Sequence, residues 1–439
     1  MTKKAYAIEV KKSLDRRRWE NSVHRRKLKR LKRRLTQIMP VRTGVRASYR
    51  STALRLLANR CVEPLGADPV RAGKILMPSR FSIIDNPHET LSVICRIAKC
   101  ATSYARPKIS LDHRATIEMD LAADTLLGIT LKETKKECQG VKKMQIRGHY
   151  PRDPALRREM DEIGVTKALF SSEESWSVDL NPDLKVFRHR QVGLRIEEPL
   201  EARYPAQDQT SRFAIHVDDC LAVIGKKLTS KGRQELCVYV GEILTNAEEH
   251  PGIVDWTIVG YLDVELSWFE VAIINFGKTI ADTFKELPRE SYAFRQVDSY
   301  VSRIARTGAN QVERDKLITV AALQSRISSK NSDERSDRGQ GTVEAIEFFQ
   351  QVLAECQGSE RKNPNMCILS GSTFIKFDGT YRMVMDGHGR KIIAFNKQGS
   401  LFKPPDEKFV QVLPGASFPG TILAIRFPLA RGAIASREV

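Results

Sequence analysis

The sequence predicts an α/β chain in which helices cover sheets, an α+β arrangement of more than one domain. Three observations carry this. Short strand signals alternate with helical ones between residues 85 and 170. Two long helical stretches run through 215–249, and from residue 256 strand signals dominate to the end. A length of 439 residues allows two or three domains. The boundaries expected are a basic helical arm and connector at 1–60, a small α/β domain at 68–170 and a larger α/β domain at 205–432.

Composition removes several classes. Hydrophobic residues make up 41% of the chain, and no run approaches 18 apolar residues, so no membrane-spanning helix is expected. The first residues are basic and lack an apolar core, which argues against a secretory signal. The eight cysteines are scattered and none forms a CxxC pair, so neither a structural zinc site nor a disulfide framework is expected. A reduced, cytoplasmic protein is the expectation.

The formal net charge is +19, and it is concentrated at one end. Residues 1–50 hold 18 Lys and Arg against Glu9, Asp15 and Glu20. Within residues 10–39, Leu28, Leu31, Leu35 and Ile38 fall on one helical face, and Pro40 closes the stretch. Arg25, Arg26, Lys27, Lys29, Arg30, Lys32, Arg33 and Arg34 surround that face. Such a helix offers cations to a polyanion: nucleic acid first, then an acidic protein or an anionic surface. Equally, it is a solvated helix docked by its apolar stripe. His24 has only basic neighbours, unlike a phosphoaccepting histidine, so classical two-component signalling is not expected.

Residues 41–67 read as a polar helical connector ending at Pro64-Leu65-Gly66. Leu91–Ile94, Lys108–Asp112 and Thr116–Met119 then read as short strands, Leu121–Leu131 as a helix, and Lys143–Gly148 as another strand. Arg152–Ile163 reads as a helix ended by Gly164. Asp112 and His113 are adjacent on a strand, so their side chains point to opposite faces and do not form an acid/base pair. The rhythm of Leu111-Asp112-His113, Ile117–Ala123, Gln145–Gly148 and Glu162-Ile163-Gly164 resembles the STAS fold of anti-anti-sigma factors. Where that family places a phosphorylated serine, this chain reads Asp120-Leu121-Ala122-Ala123, which implies a static interaction module.

Residues 171–205, with Pro182, Pro199 and Pro205, read as a linker or irregular edge. Ile215–Leu228 and Gly232–Glu249 read as helices. The second carries Glu242 and Asn246, four residues apart and so on one face. A carboxylate there can accept a proton, and an amide oxygen can ligate Mg²⁺. Trp256–Val264 and Trp268–Ile274 read as paired strands running into Asn275-Phe276-Gly277-Lys278-Thr279. Pro288 to about Asp337 reads as a long polar region with one helix near Asp315–Leu323. It ends in Arg338-Gly339-Gln340-Gly341, before a helix at Val343–Cys356. Glycines ahead of a helix N-terminus leave backbone N–H groups free for phosphate. Met366–Ile375, Thr380–Met385, Lys391–Phe395 and Thr421–Phe427 read as strands.

The string Glu242…Asn246-Ala247…His250 resembles the N-box of the GHKL ATPase superfamily, in its anti-sigma-factor kinase form. The later elements follow that family's order over about 205–430. The resemblance implies an α/β sandwich with a mixed sheet that binds ATP and Mg²⁺. By it, Glu242 is the general base and Asn246 the Mg²⁺ ligand. Asn275 and Gly277 form the adenine turn, where Asn275 stands in place of the family's Asp and Thr279 in place of its second Gly. Arg338, Gly339 and Gly341 hold phosphates, and the Thr421 hydroxyl helps hold adenine. The activity implied is ATP hydrolysis or phosphoryl transfer in a regulatory or bacterial defence role, acting on a regulatory partner. The alternative is a non-catalytic, nucleotide-responsive interaction protein whose basic arm binds nucleic acid.

Overall fold

A computed structural model describes residues 51–61, 74–103, 108–137, 145–170, 184–193, 206–222, 230–249, 255–263, 268–305, 309–325, 327, 343, 345–350, 364–387 and 389–428. The basic segment and most of the connector lie outside them. Ser51 caps the first described helix, α1 (Thr52–Asn59), its hydroxyl accepting from the Leu54 N–H at 3.2 Å. Strands β1 (Lys74–Leu76) and β2 (Arg80–Phe81) precede α2 (Pro87–Ser103). Then come β3 (Lys108–Asp112), β4 (Glu118–Met119), α3 (Leu121–Glu137), β5 (Gln145–His149), α4 (Pro154–Glu162) and α5 (Val165–Phe170). Strands β1, β3 and β5 form a parallel sheet in that order, and β2 pairs with β4, also parallel. Helices α2 and α3 supply the long crossovers that parallel pairing needs.

The strand expected at Leu91–Ile94 is instead the middle of α2. Leu91, Ile94, Cys95 and Ala98 are buried at helical spacing, and Ile97 and Val93 are buried as well. Half-exposed Ser92, Arg96 and Lys99 interrupt the apolar residues at helical spacing, a period that the four residues Leu91–Ile94 are too short to show. Pro87 opens it, where a missing N–H leaves no helical bond unmade.

The rest of the chain builds one seven-stranded sheet in the order β13-β10-β9-β14-β8-β7-β6. Its strands are β6 (Leu184–Val192), β7 (Asp255–Asp263), β8 (Trp268–Phe276), β9 (Asn365–Gly371), β10 (Thr373–Phe377), β13 (Val410–Val412) and β14 (Phe418–Pro428). A separate small ribbon pairs β11 (Val384–Met385) with β12 (Lys391–Ile392). Every pair in the large sheet is antiparallel, where a mixed sheet was expected. The links from β7 to β8 and from β9 to β10 are too short for a parallel crossover, so each forces a hairpin.

Three further expectations change. The stretch read as an irregular edge holds the nine-residue β6, paired along its length with β7. The polar region from Pro288 contains two helices, α9 (Tyr292–Ile304) and α10 (Gln311–Ala322), after a short α8 (Ile280–Lys285). Helix α9 buries one side, with Ala293, Val297, Tyr300 and Val301, whereas α10 is buried all round from Lys316 to Ala321. The single strand expected at Met366–Ile375 folds back on itself as β9 and β10, since Gly371 takes φ +62°, a turn conformation that L side chains avoid.

Residues Arg50–Val439 form one compact unit. Helices α6 (Ala206–Ala222), α7 (Ser230–Glu249) and α8–α10 cover one face of the large sheet, with Phe213, Trp256, Ile258, Phe269, Ile273 and Ile425 between them. Residues of α1–α3 and the small parallel sheet cover the other face, against Ile274, Phe276, Leu369 and Ile422. Neighbours such as Ile273 and Ile274 therefore point into different cores. Among the described residues no helix is long and apolar enough to cross a membrane.

Charged groups stitch the second core. The Leu121 N–H, at the opening of α3, donates to Glu270 Oε2 at 2.8 Å, and Trp268 Nε1 donates to Glu270 Oε1 at 2.8 Å. Arg426 on β14 pairs with Asp85, which also receives Lys376 Nζ at 3.3 Å. Arg190 on β6 grips Asp255 at 3.0 and 2.9 Å and reaches Glu133 of α3 at 2.9 Å. Asp124 accepts from the Val165 N–H at 3.2 Å, and burial pushes its carboxyl up to about 7.

Two outcomes follow. A Cβ at Gly420 (φ +138°) would lie 2.0 Å from the Asn275 carbonyl oxygen, so Gly420→Ala should cost at least about 1–3 kcal/mol in urea unfolding. An unchanged midpoint would contradict this close approach. Asp124 is protonated up to about pH 7 in the folded chain but only to about pH 4 once unfolded. The stability tied to its neutral form is complete below pH 4 and lost as pH rises through 7. Asp124→Asn should therefore gain on the parent chain by on the order of 4 kcal/mol between those limits; parallel pH profiles would rule this out.

Candidate functional site

Helix α7 carries Glu242 and Asn246 one turn apart, with Leu236, Val240, Leu244 and Ala247 buried against the sheet. The side chains of Glu242 and Asn246 lie outside the described residues. Only five residues join the end of α7 to β7, and Ala247 shares a core with Trp256. The last turn of α7 thus lies at the end of the sheet where β7 begins and β8 finishes.

At that end the register sets a polar row. Trp256 on β7 faces Asn275 on β8, Asn275 faces Thr421 on β14, and Thr421 faces Ser370 on β9. Register partners share a face, and Trp256 belongs to the core shared with α7. Asn275, Thr421 and Ser370 therefore form a polar strip on the helix-covered face, at the margin of an apolar surface. The Trp256 indole N–H, fully buried, finds no partner among the described residues.

Hydrogen-bond arithmetic orients the strip. Ser370 Oγ accepts from the Ile280 N–H at 2.9 Å and donates to the Gly420 carbonyl at 3.1 Å. Its one proton is then spent, so the 2.9 Å contact with Thr421 Oγ1 is donated by Thr421. The Thr421 oxygen keeps its lone pairs as acceptors. Asn275, half-buried, offers an amide oxygen and an amide NH₂ beside it. The Gly277 N–H donates to the Pro419 carbonyl at 3.0 Å, with Gly277 at φ +130°. Only glycine fits Gly420, as shown above.

Structure brings together Asn275, Gly277 and Thr421, and sets the helix bearing Glu242 and Asn246 at the same end. It adds Ser370, whose only sequence signal is one hydroxyl in an apolar strand before Gly371. Thr279, standing where a glycine was expected by resemblance, caps α8: its hydroxyl accepts from the Asp282 N–H at 3.1 Å, and Asp282 Oδ2 accepts from the Thr279 N–H at 3.2 Å. Arg338, Gly339 and Gly341 lie outside the described residues, as does most of the helix expected after them; 345–350 is helical.

Next to the strip lies an apolar pocket that opens to solvent. It is bounded by Val240 and Ile243 of α7, Phe213 of α6, Phe348, and the sheet residues Ile273 and Leu423. Ile273 and Leu423 each stand two residues from the strip, on Asn275 and Thr421 respectively. Among the described residues no group of three His, Cys, Asp or Glu side chains is placed to hold a metal ion. Asp112 and His113 are not an acid/base pair: the carboxylate is committed to Arg114, at 2.9 and 2.8 Å, and to Lys74 at 2.9 Å.

No protein-family model, curated protein or solved structure matches the chain.

Ser370→Ala removes the acceptor of the Ile280 N–H and should lower stability by about 1–3 kcal/mol. Thr421→Ala, which removes a hydroxyl bonded within the strip only to Ser370, should cost less. Denaturant midpoints of the two variants test that order, and a reversal would refute the assigned donors.

Proposed function

We propose that the chain binds ATP with Mg²⁺ at the strip formed by Asn275, Thr421 and Ser370, and that Glu242 makes it an ATPase or phosphoryl-transfer enzyme. The observation that carries this reading is the convergence of Asn275 and Thr421 on one face, at the end of the sheet reached by the helix of Glu242 and Asn246. The chemistry fits a purine. A carboxamide at Asn275 can accept from the adenine amino group and donate to the neighbouring ring nitrogen. The Thr421 oxygen accepts a further donor. The apolar wall of Ile243, Ile273 and Leu423 gives a base face a dry surface.

Glu242 would take the proton of the attacking water or hydroxyl. Asn246 supplies an oxygen suited to a hard cation, and Gly339 and Gly341 with Arg338 supply donors and charge for phosphates. Bound at such a site, Mg²⁺ would neutralise phosphate charge and orient the leaving group. The second reading, a nucleotide-responsive module without turnover, is favoured by one feature: Asn275 is neutral where the resembled family has a carboxylate. The cationic segment at residues 1–50 is proposed to engage a polyanion, nucleic acid first.

Titration calorimetry with ATP and GTP, with and without Mg²⁺, tests the binding claim on the full chain. Selective, Mg²⁺-dependent ATP binding is expected, lost in Asn246→Ala; absence of ATP binding sinks the proposal. Glu242→Ala should keep binding while reducing turnover by about 10²–10⁴-fold. A parent chain that binds ATP and never turns over leaves the module reading in its place.

A further inference from the structure

The parallel sheet β1-β3-β5 has a cleft of its own. It lies where β3 and β5 end, the side of a parallel sheet at which ligands collect. It opens to solvent at its mouth. Its walls are Leu111, Leu131, Ile146, Met160, Val165 and Leu169. Gly148 sits on β5 at this point, where a Cβ would approach only the Leu111 carbonyl oxygen, at 3.7 Å. The absent side chain leaves room beside the strand.

One residue lining this cleft carries a buried polar atom that is unanswered. His113, the first residue after β3, is 1% exposed, and its Nε2 has no hydrogen-bond partner among the described residues. Its backbone is fixed, the His113 N–H donating to the His149 carbonyl at 2.9 Å and the Thr116 N–H donating to the His113 carbonyl at 2.8 Å. Its ring packs edge-on against Phe81, with centroids 5.6 Å apart. The tautomer follows from the partners. The Thr116 hydroxyl donates its proton to the Pro78 carbonyl at 3.1 Å, so at 3.5 Å from His113 Nδ1 it can only accept. Placing the proton on Nδ1 satisfies this contact and leaves Nε2 a bare lone pair. Burial lowers this imidazole to about 4, so it remains neutral near pH 7.

A buried acceptor left without a donor costs about 1–3 kcal/mol, so a site that keeps one gains by receiving a donor. At the mouth, Arg147 and His149 are exposed, and no carboxylate is among the described lining residues. Tyr150 is already engaged, donating to Asp161 at 2.5 Å. The cleft thus has an apolar body, an inner acceptor and a cationic rim.

We propose that this cleft binds a small aromatic acid carrying a hydroxyl or N–H group, with His113 Nε2 accepting from that donor and Arg147 facing the carboxylate. The site shares no lining residue with the nucleotide strip and stands or falls apart from it.

The probes are 4-hydroxybenzoate and benzoate, which differ only in the donor. By calorimetry on the full chain, 4-hydroxybenzoate should bind about tenfold or more tighter than benzoate. His113→Phe should erase that difference, and Arg147→Ala should weaken both acids. Should His113→Phe fail to fold, histidine ¹⁵N resonances of the parent chain serve instead: the His113 Nε2 signal should shift on saturation with 4-hydroxybenzoate and stay put with benzoate. Equal affinity for the two acids, no saturable binding at millimolar concentration, or an unmoved Nε2 signal overturns the proposal.

Discussion

Both faces of the seven-stranded sheet are buried, and this constraint governs the rest of the molecule. A sheet in that position cannot alternate apolar and polar residues as a half-wet sheet does. Strand β14 accordingly runs Ile422-Leu423-Ala424-Ile425, and β8 runs Val271-Ala272-Ile273-Ile274. Any charged side chain placed there has to find an answer inside the protein, because stranding a buried charge costs several kcal/mol. Glu270 is answered by a backbone N–H of α3 and an indole N–H, and Arg426 by Asp85. At the opposite margin Arg190 is answered by Asp255 and Glu133.

The same constraint gives the polar strip its meaning. Asn275 and Thr421 break an apolar face where the register sets them side by side, and the glycine pinch at Gly420 holds their strands together. Ser370 does more than fill space: with one proton and three neighbours, it determines which way Thr421 points its own hydrogen. A hydroxyl two strands from Asn275 thereby sets whether the strip presents donors or acceptors.

What could be read from the sequence follows from burial. Helix α7 and the β7–β8 pair were legible from their apolar spacing, whereas α6, read from Ile215, begins at Ala206, in a polar stretch with no apolar period. Also legible were β3, found at the limits read for it, and α3, which starts at Leu121 as read and runs on past Leu131 to Glu137. Helix α2 was misread because Leu91–Ile94 taken alone is too short to show the helical period that Ser92, Arg96 and Lys99 mark. Strand β6 was missed because Lys185, Arg188, His189 and Arg190 make it look like a polar linker, although Arg190 is spent in an internal ion pair. At the candidate site, Asn275, Gly277 and Thr421 could be named from residue order, whereas Ser370 and the buried His113 lone pair exist only once distant strands are paired. Glu242 and Asn246 were placed on one helix, and the structure keeps them there.

The sharing of one sheet between two apolar cores has a thermodynamic consequence. Strands β8 and β14 lie in the interior of that sheet and contribute alternate residues to each core. Peeling away the segment that contains α1–α3 would hydrate Ile274, Phe276 and Ile422 and leave Glu270 without its helix terminus. The α1–α3 segment has no apolar wall without the sheet, and the sheet without that segment has one face bared, so heat should dismantle them in a single cooperative step. The amide protons of those two central strands should then exchange with solvent only through global opening.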